Sequence, residues 1–255
     1  MSSSSKALKK KHRKINGILA LILMVITVVA VIAMIINIFR VGTRSTASVD
    51  TENTNSLSTD TQRDMSNDLY EIGNNPTEYE KECFQKLTDA LKSGTKEQQA
   101  EALVYAFVSD YFTGTNKDGN YEVGGLQYIY SNKYVSFEEW SRYNYYQDMD
   151  LYISQYGRDN LPAVSSITTD VETFKAPDFT VNTVDPAETY DCYQVQVSWT
   201  YNMGAKVPKE NFVNDMRFQV IDHDGRMEIA EFYDMDSVNA WEAANSVTST
   251  EGQEG

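Results

Sequence analysis

Nineteen consecutive uncharged residues, Ile18 to Ile36, follow a basic block and precede a chain that is otherwise strongly acidic. Thirteen of them are Ile, Leu or Val, and the only polar side chain is Thr27. At about 1.5 Å per residue the run is roughly 28 Å long, enough to cross a hydrocarbon core. Lys6, Lys9, Lys10, Lys11, Arg13 and Lys14 precede it, and Arg40 and Arg44 follow it. The cation bias predicts a cytoplasmic tail (1–14), a transmembrane helix (15–39) and an outward-facing remainder. The rival, a cleaved signal peptide, has a shorter apolar region of roughly 7–15 residues. Ser45-Thr46-Ala47 could serve as its cleavage site, but Arg44 beside it fits poorly.

Charge divides along the chain. Residues 1–44 hold 8 bases and no acid, whereas the rest holds 14 bases against 37 acids. A region that acidic repels nucleic acid, so direct DNA binding by the outer part is not expected. The basic block is accounted for by topology and anionic headgroups. Cys83 and Cys192 could pair if geometry allowed, yet each lies in an apolar pattern that favours a buried small hydrophobe. No N-glycosylation sequon is usable, since Asn75-Pro76-Thr77 is barred by its proline, which suits a bacterial source.

Residues 40–68 are rich in Ser, Thr, Asn, Asp and Gln and read as a flexible stalk. Residues 69–236 have the size of one domain, and 237–255 read as a helix followed by a polar tail. The domain opens with helices. Thr77-x-x-Glu80 is a capping box, and Tyr79, Cys83, Phe84, Leu87 and Leu91 follow at helical spacing up to Gly94. Thr95-x-x-Gln98 opens a second helix with Leu103, Val104, Phe107, Val108, Tyr111 and Phe112. Ser136-x-x-Glu139 predicts a third, running through Trp140, Tyr143, Met149 and Ile153 to Gly157. Strands follow: Val164–Phe174, Phe179–Val184, and a long alternating run in which Tyr193, Val195, Val197, Trp199 and Tyr201 share a face. Val213–Ile221 and Met227–Phe232 flank His223-Asp224-Gly225, and Asp-Gly signals a hairpin. Short turns between strands require antiparallel pairing. The fold class is therefore α+β, with about three helices on one face of a curved antiparallel sheet.

Few residues invite chemistry. Besides His12 in the basic tail, His223 is the only imidazole, and its place at a hairpin predicts a solvated turn residue. A Ser-His-Asp site and a His-rich zinc site are both disfavoured. Asp222-His223-Asp224 cannot converge on one ion from a tight turn, and Asp148 and Asp150 point to different helix sides. Gly124-Gly125 reads as a turn, with neither a phosphate loop nor a dinucleotide fingerprint around it. No cofactor or metal is expected.

Aromatics are the stronger signal. Tyr128, Tyr130, Tyr134, Tyr143, Tyr145, Tyr146, Tyr152 and Tyr156 crowd one stretch with Phe137 and Trp140. Core packing accounts for the inward half. The rest can line a pocket or a protein-contact surface, with Tyr143, Tyr145, Tyr146 and Tyr152 as the candidate contact residues.

Helix Ala100–Phe112, the aromatic stretch Tyr128–Tyr156, and strands Tyr193–Tyr201, Val213–Ile221 and Met227–Phe232 together resemble the cone-shaped nuclear-transport-factor-2-like fold. Behind a basic tail and one membrane helix, this plan is similar to the VirB-type bitopic component of type IV secretion systems. It is also similar to Gram-positive conjugation proteins of the TcpC type, which carry two such outer domains where this chain has room for one. The resemblance is architectural and carries no diagnostic peptide. It implies a non-enzymatic membrane scaffold of a DNA-transfer channel that contacts other channel subunits and copies of itself. The alternatives are a pocket enzyme or ligand-binding domain of the ketosteroid-isomerase-like kind, and another surface or sporulation-channel component. An enzyme of that kind needs a carboxylate beside a tyrosine in an apolar cone.

Overall fold

The computed structural model describes residues 65–182 and 186–248. The basic tail with Lys9, Lys10, Lys11, Arg13 and Lys14, the apolar run and the stalk up to residue 64 lie outside the described residues. Among the described residues no helix is long and apolar enough to cross a membrane. The last residues read as stalk, from Met65, pack on the domain. Ile72 N–H donates to Met65 O at 2.9 Å, and Asn67 Nδ2 donates to Thr88 Oγ1 at 3.0 Å.

The described residues are α+β, with five helices and one four-stranded antiparallel sheet of order β1-β2-β3-β4 among them. Helix α1 spans Glu78–Ser93 and α2 Lys96–Tyr111. Both capping boxes close as the sequence predicts. Thr77 and Glu80 satisfy each other's backbone N–H groups at 3.0 and 3.2 Å, and Thr95 and Gln98 do so at 2.9 and 3.3 Å. Helix α2 is the centre of the domain. It packs against α1 on one side and all four strands on the other, which is why it is buried nearly all round from Ala100 to Phe112.

The third helix differs from expectation. It is two helices, α3 (Tyr134–Tyr143) and α4 (Met149–Tyr156), and Ser136 lies inside α3 rather than capping it. The Ser136 hydroxyl donates back to Lys133 O at 3.0 Å, and α3 grows directly out of a 3-10 turn at Ser131–Lys133. Helical continuation would bring Tyr145 below Phe137 and Ser141 but swing Tyr146 about 100° away from the core. The chain turns instead, with Tyr146 N–H bonded to Ser141 O at 2.8 Å, and the Tyr146 ring becomes fully buried. Gly157, at φ 78°, closes α4 as expected.

Strand β1 (Ala163–Val181) joins into one element what the sequence divides at Ala176-Pro177-Asp178. Proline interrupts a central strand but is tolerated on an edge, and β1 is an edge. Four register shifts against β2 (Glu188–Asn202) absorb the irregularities and bend the pair. Strands β3 (Asp215–His223) and β4 (Arg226–Asp234) form the predicted hairpin, with Asp224 and Gly225 both at positive φ, 52° and 88°. Tyr193, Val195, Val197 and Trp199 of β2 share the face toward α2 and are buried. A second, smaller cluster of Tyr130, Val181, Cys192, Ile221 and Ala230 is separate from that core. Cys83 belongs to the main core and Cys192 to the second, and both are free and buried. Helix α5 (Met235–Thr248) packs on β3 and β4 through Val238, with an ion pair of Arg217 Nη1 to Glu242 Oε1 at 2.6 Å.

Candidate contact surface and the polar centre behind it

Between the helices and the sheet lies a wall of rings. Phe107 stacks on Tyr111 at 5.0 Å, Tyr111 on Tyr145 at 5.1 Å, and Phe112 lies 4.6 Å from Trp199. Phe107 also meets Phe218 and Phe232 of the sheet at 5.9 and 5.7 Å. The pocket at the open end of this wall, edged by Tyr145, Tyr146, Met149 and Leu161, has room for about 20 Å³. That is the space of roughly one water molecule. The hydroxyls inside are occupied. Tyr111 donates to Ser141 Oγ at 3.0 Å, Tyr146 makes a short bond to Tyr111 O, and Tyr201 donates to Val213 O at 2.6 Å. Burial pushes the Tyr111, Tyr145 and Tyr146 phenols far above their ordinary range, so none ionises near neutral pH.

The four tyrosines predicted as contact residues therefore separate. Tyr143 is 66% exposed, Tyr145 and Tyr152 are half-buried, and Tyr146 is wholly inside. Tyr152 leans on Phe212 and accepts a hydrogen bond from Asn211 Nδ2 at 3.1 Å. Helix α3 also carries Val135 at 74% and Trp140 at 51% exposure. Val135, Glu139 and Tyr143 follow one another at four-residue steps, opposite the inward Phe137 and Ser141, and Trp140 flanks them. That spacing is visible in the sequence once α3 is taken as a helix ending at Tyr143. Carrying the helix on to Gly157 blurs it. Between α3 and the outer edge of β4, Phe137, Trp140, Ile229, Phe232 and Tyr233 line a groove of about 350 Å³.

Behind the aromatic wall lies a polar centre that sequence reasoning missed. Lys117 is 2% exposed, and its ammonium donates to Asp110 Oδ1 and Asn116 Oδ1, each at 2.8 Å. The Asn116 amide donates to Glu80 Oε1 at 2.9 Å and Oε2 at 3.1 Å. Asp110 also accepts from Gly125 N–H at 2.8 Å. Gly73 and Gly124 press against this carboxylate: a Cβ on either would meet its oxygens at 2.6 and 2.5 Å. Gly124-Gly125 is thus more than a turn, because the backbone must approach Asp110 closely there. Arg158 seals the far side, donating to Lys117 O at 2.8 Å and pairing with Asp118 at 2.6 Å. The signal in the sequence was the pairing of an acid at the end of α2 with Asn116-Lys117, six and seven residues on, which composition alone does not distinguish from surface charge.

His223 is not a solvated turn residue. It ends β3, its Nδ1 lies 2.9 Å from Glu228 Oε2, and its ring meets Tyr130 and Tyr190 edge-on. Asp222 accepts from Gly225 N–H and pairs with Lys96 at 2.6 Å, so it points away from that contact. Among the described residues no group of three or more His, Cys, Asp or Glu could hold a metal ion. No family model, curated protein or solved structure matches the chain.

Proposed function

We propose that the chain is a non-enzymatic, single-pass membrane scaffold of a conjugative DNA-transfer channel of the type IV secretion kind, acting through protein contacts of its outer domain. The observation that carries this reading is how the aromatic rings divide. Those of Phe107, Tyr111, Phe112, Tyr145 and Tyr146 fill the space where a cone-shaped enzyme would hold its substrate. Those of Trp140 and Tyr143 are left on the surface of a short helix. Filled interiors do not host a reaction, whereas exposed Trp and Tyr beside an apolar groove are typical of interface centres. The order of helices before a bent antiparallel meander agrees with a nuclear-transport-factor-2-like domain. Anchoring by Ile18–Ile36 with Lys9–Lys14 inside then puts the domain outside the cell membrane.

The test is the pair Trp140→Ala and Tyr143→Ala in the full-length chain. Interface aromatics commonly contribute about 2 kcal/mol or more each, so the double variant should lose co-purifying channel subunits and DNA transfer at an unchanged unfolding midpoint. Undiminished transfer and co-purification in the double variant would remove the contact reading.

A further inference from the structure

Lys117 and Asp110 meet inside the polar centre as two groups that can join. The ammonium and the carboxyl lie 2.8 Å apart, and both side chains are buried. Tyr128 and Tyr146, buried themselves, lie close enough to Asp110 to feel its charge. Glu80 is met by donors alone, the Thr77 N–H and the Asn116 amide, as suits a carboxylate. Asn116, fixed in this way, turns its carbonyl to the Lys117 ammonium at 2.8 Å. Glu80 therefore aims the Lys117 nitrogen through Asn116, and Asp110 lies in front of it.

In water an acid and an amine stay apart because hydration stabilises the separated ions. Burial removes most of that advantage, and an amide carries no charge to desolvate. The carboxyl is also set for attack. Its Oδ2 accepts from Gly125 N–H at 2.8 Å, a donor placed where negative charge gathers as nitrogen bonds to Cγ. Gly73 and Gly124 press on the same carboxyl and fix its orientation. A cavity of about 270 Å³, lined by both Asp110 and Lys117, gives an expelled water a way out.

We propose that Lys117 and Asp110 condense to an isopeptide bond, Nζ to Cγ, with loss of one water. One ammonium proton crosses the 2.8 Å contact to Oδ1, which leaves a neutral amine beside a neutral acid. The Nζ lone pair then bonds to Cγ. The Cγ–Oδ1 bond breaks with its electron pair on Oδ1, and a second proton from the nitrogen completes the water. Oδ2 remains as the amide carbonyl, still bonded to Gly125 N–H. Asn116 is the other carbonyl beside Nζ, but it directly precedes Lys117. Closure there makes a small strained ring and expels ammonia from the amide nitrogen that Glu80 holds. The bond to Asp110 instead pins segment 113–125 to the end of α2, in a domain whose two cysteines are free and lie in separate clusters.

Mass spectrometry of the full-length chain, unfolded and then digested, tests this directly. The natural chain should be one water lighter than its sequence. Trypsin should no longer cut after Lys117. Chymotrypsin, cutting after Tyr111 and Phe112, should leave the pieces that hold Asp110 and Lys117 joined. Lys117→Arg keeps the cation but cannot condense, so it should regain the water and fall into separate pieces. Closure of an Asp-Gly such as Asp118-Gly119 on its own backbone also loses water, but it leaves Lys117 open to trypsin and the pieces apart. The proposal is overturned by a natural chain of full mass, by a water loss confined to Asp-Gly, or by a chain one ammonia lighter with Lys117 joined to Asn116. Each of these is read on the natural chain and holds whether or not the variant folds.

Discussion

Tyr143 and Tyr146 are three residues apart and do opposite things. Tyr146 is enclosed edge-on by Tyr111 at 5.4 Å and Tyr145 at 5.1 Å, with its hydroxyl bonded to the Tyr111 carbonyl. Removing the ring leaves a cavity and an unmet carbonyl, so Tyr146→Ala should destabilise by about 3–5 kcal/mol. Tyr146→Phe keeps the ring but loses the bond to Tyr111 O and the one accepted from Gly124 N–H at 3.4 Å, and should cost about 1–2 kcal/mol. Tyr143→Ala should stay within about 0.5 kcal/mol, as surface changes do. Urea unfolding midpoints of the three variants check this ordering, and equal effects at 143 and 146 would contradict it. At this scale the sequence is ambiguous by nature. A dense run of tyrosines says that rings are buried somewhere, but only the turn after Tyr143 decides which. The polar centre is harder still: Lys117 reads as surface charge until Asp110 of α2 and Glu80 of α1 are brought around it and its neighbour Asn116.

Elements were more legible where their signals are local. The capping boxes at Thr77 and Thr95, the Asp224-Gly225 turn and the alternation of Tyr193–Trp199 each involve neighbours in sequence, and each stands where the spacing puts it. Thr95 bears the simpler cap, since Gln98, unlike Glu80, lies outside the buried network. Thr95→Ala should cost about 1 kcal/mol, read as a lower thermal midpoint, and no loss would mean that tertiary packing alone fixes the start of α2. The elements that differed from expectation are decided at long range. The break between α3 and α4 exists because two adjacent tyrosines must both enter the core. β1 continues through Pro177 because, among the described residues, no strand pairs on its outer side.

At the scale of the molecule, charge, core and surface fit one arrangement. The filled interior leaves Trp140 and Tyr143 of α3 exposed. The central claim is that α3 is where this protein meets its channel, and site-specific photo-crosslinking in cells tests it most directly. A photoreactive residue at Tyr143 should give cross-links to membrane subunits of the transfer apparatus, whereas the same residue at Lys92, 70% exposed on α1, should give none. Cross-links absent at 143, or equally strong at 92, would contradict the account.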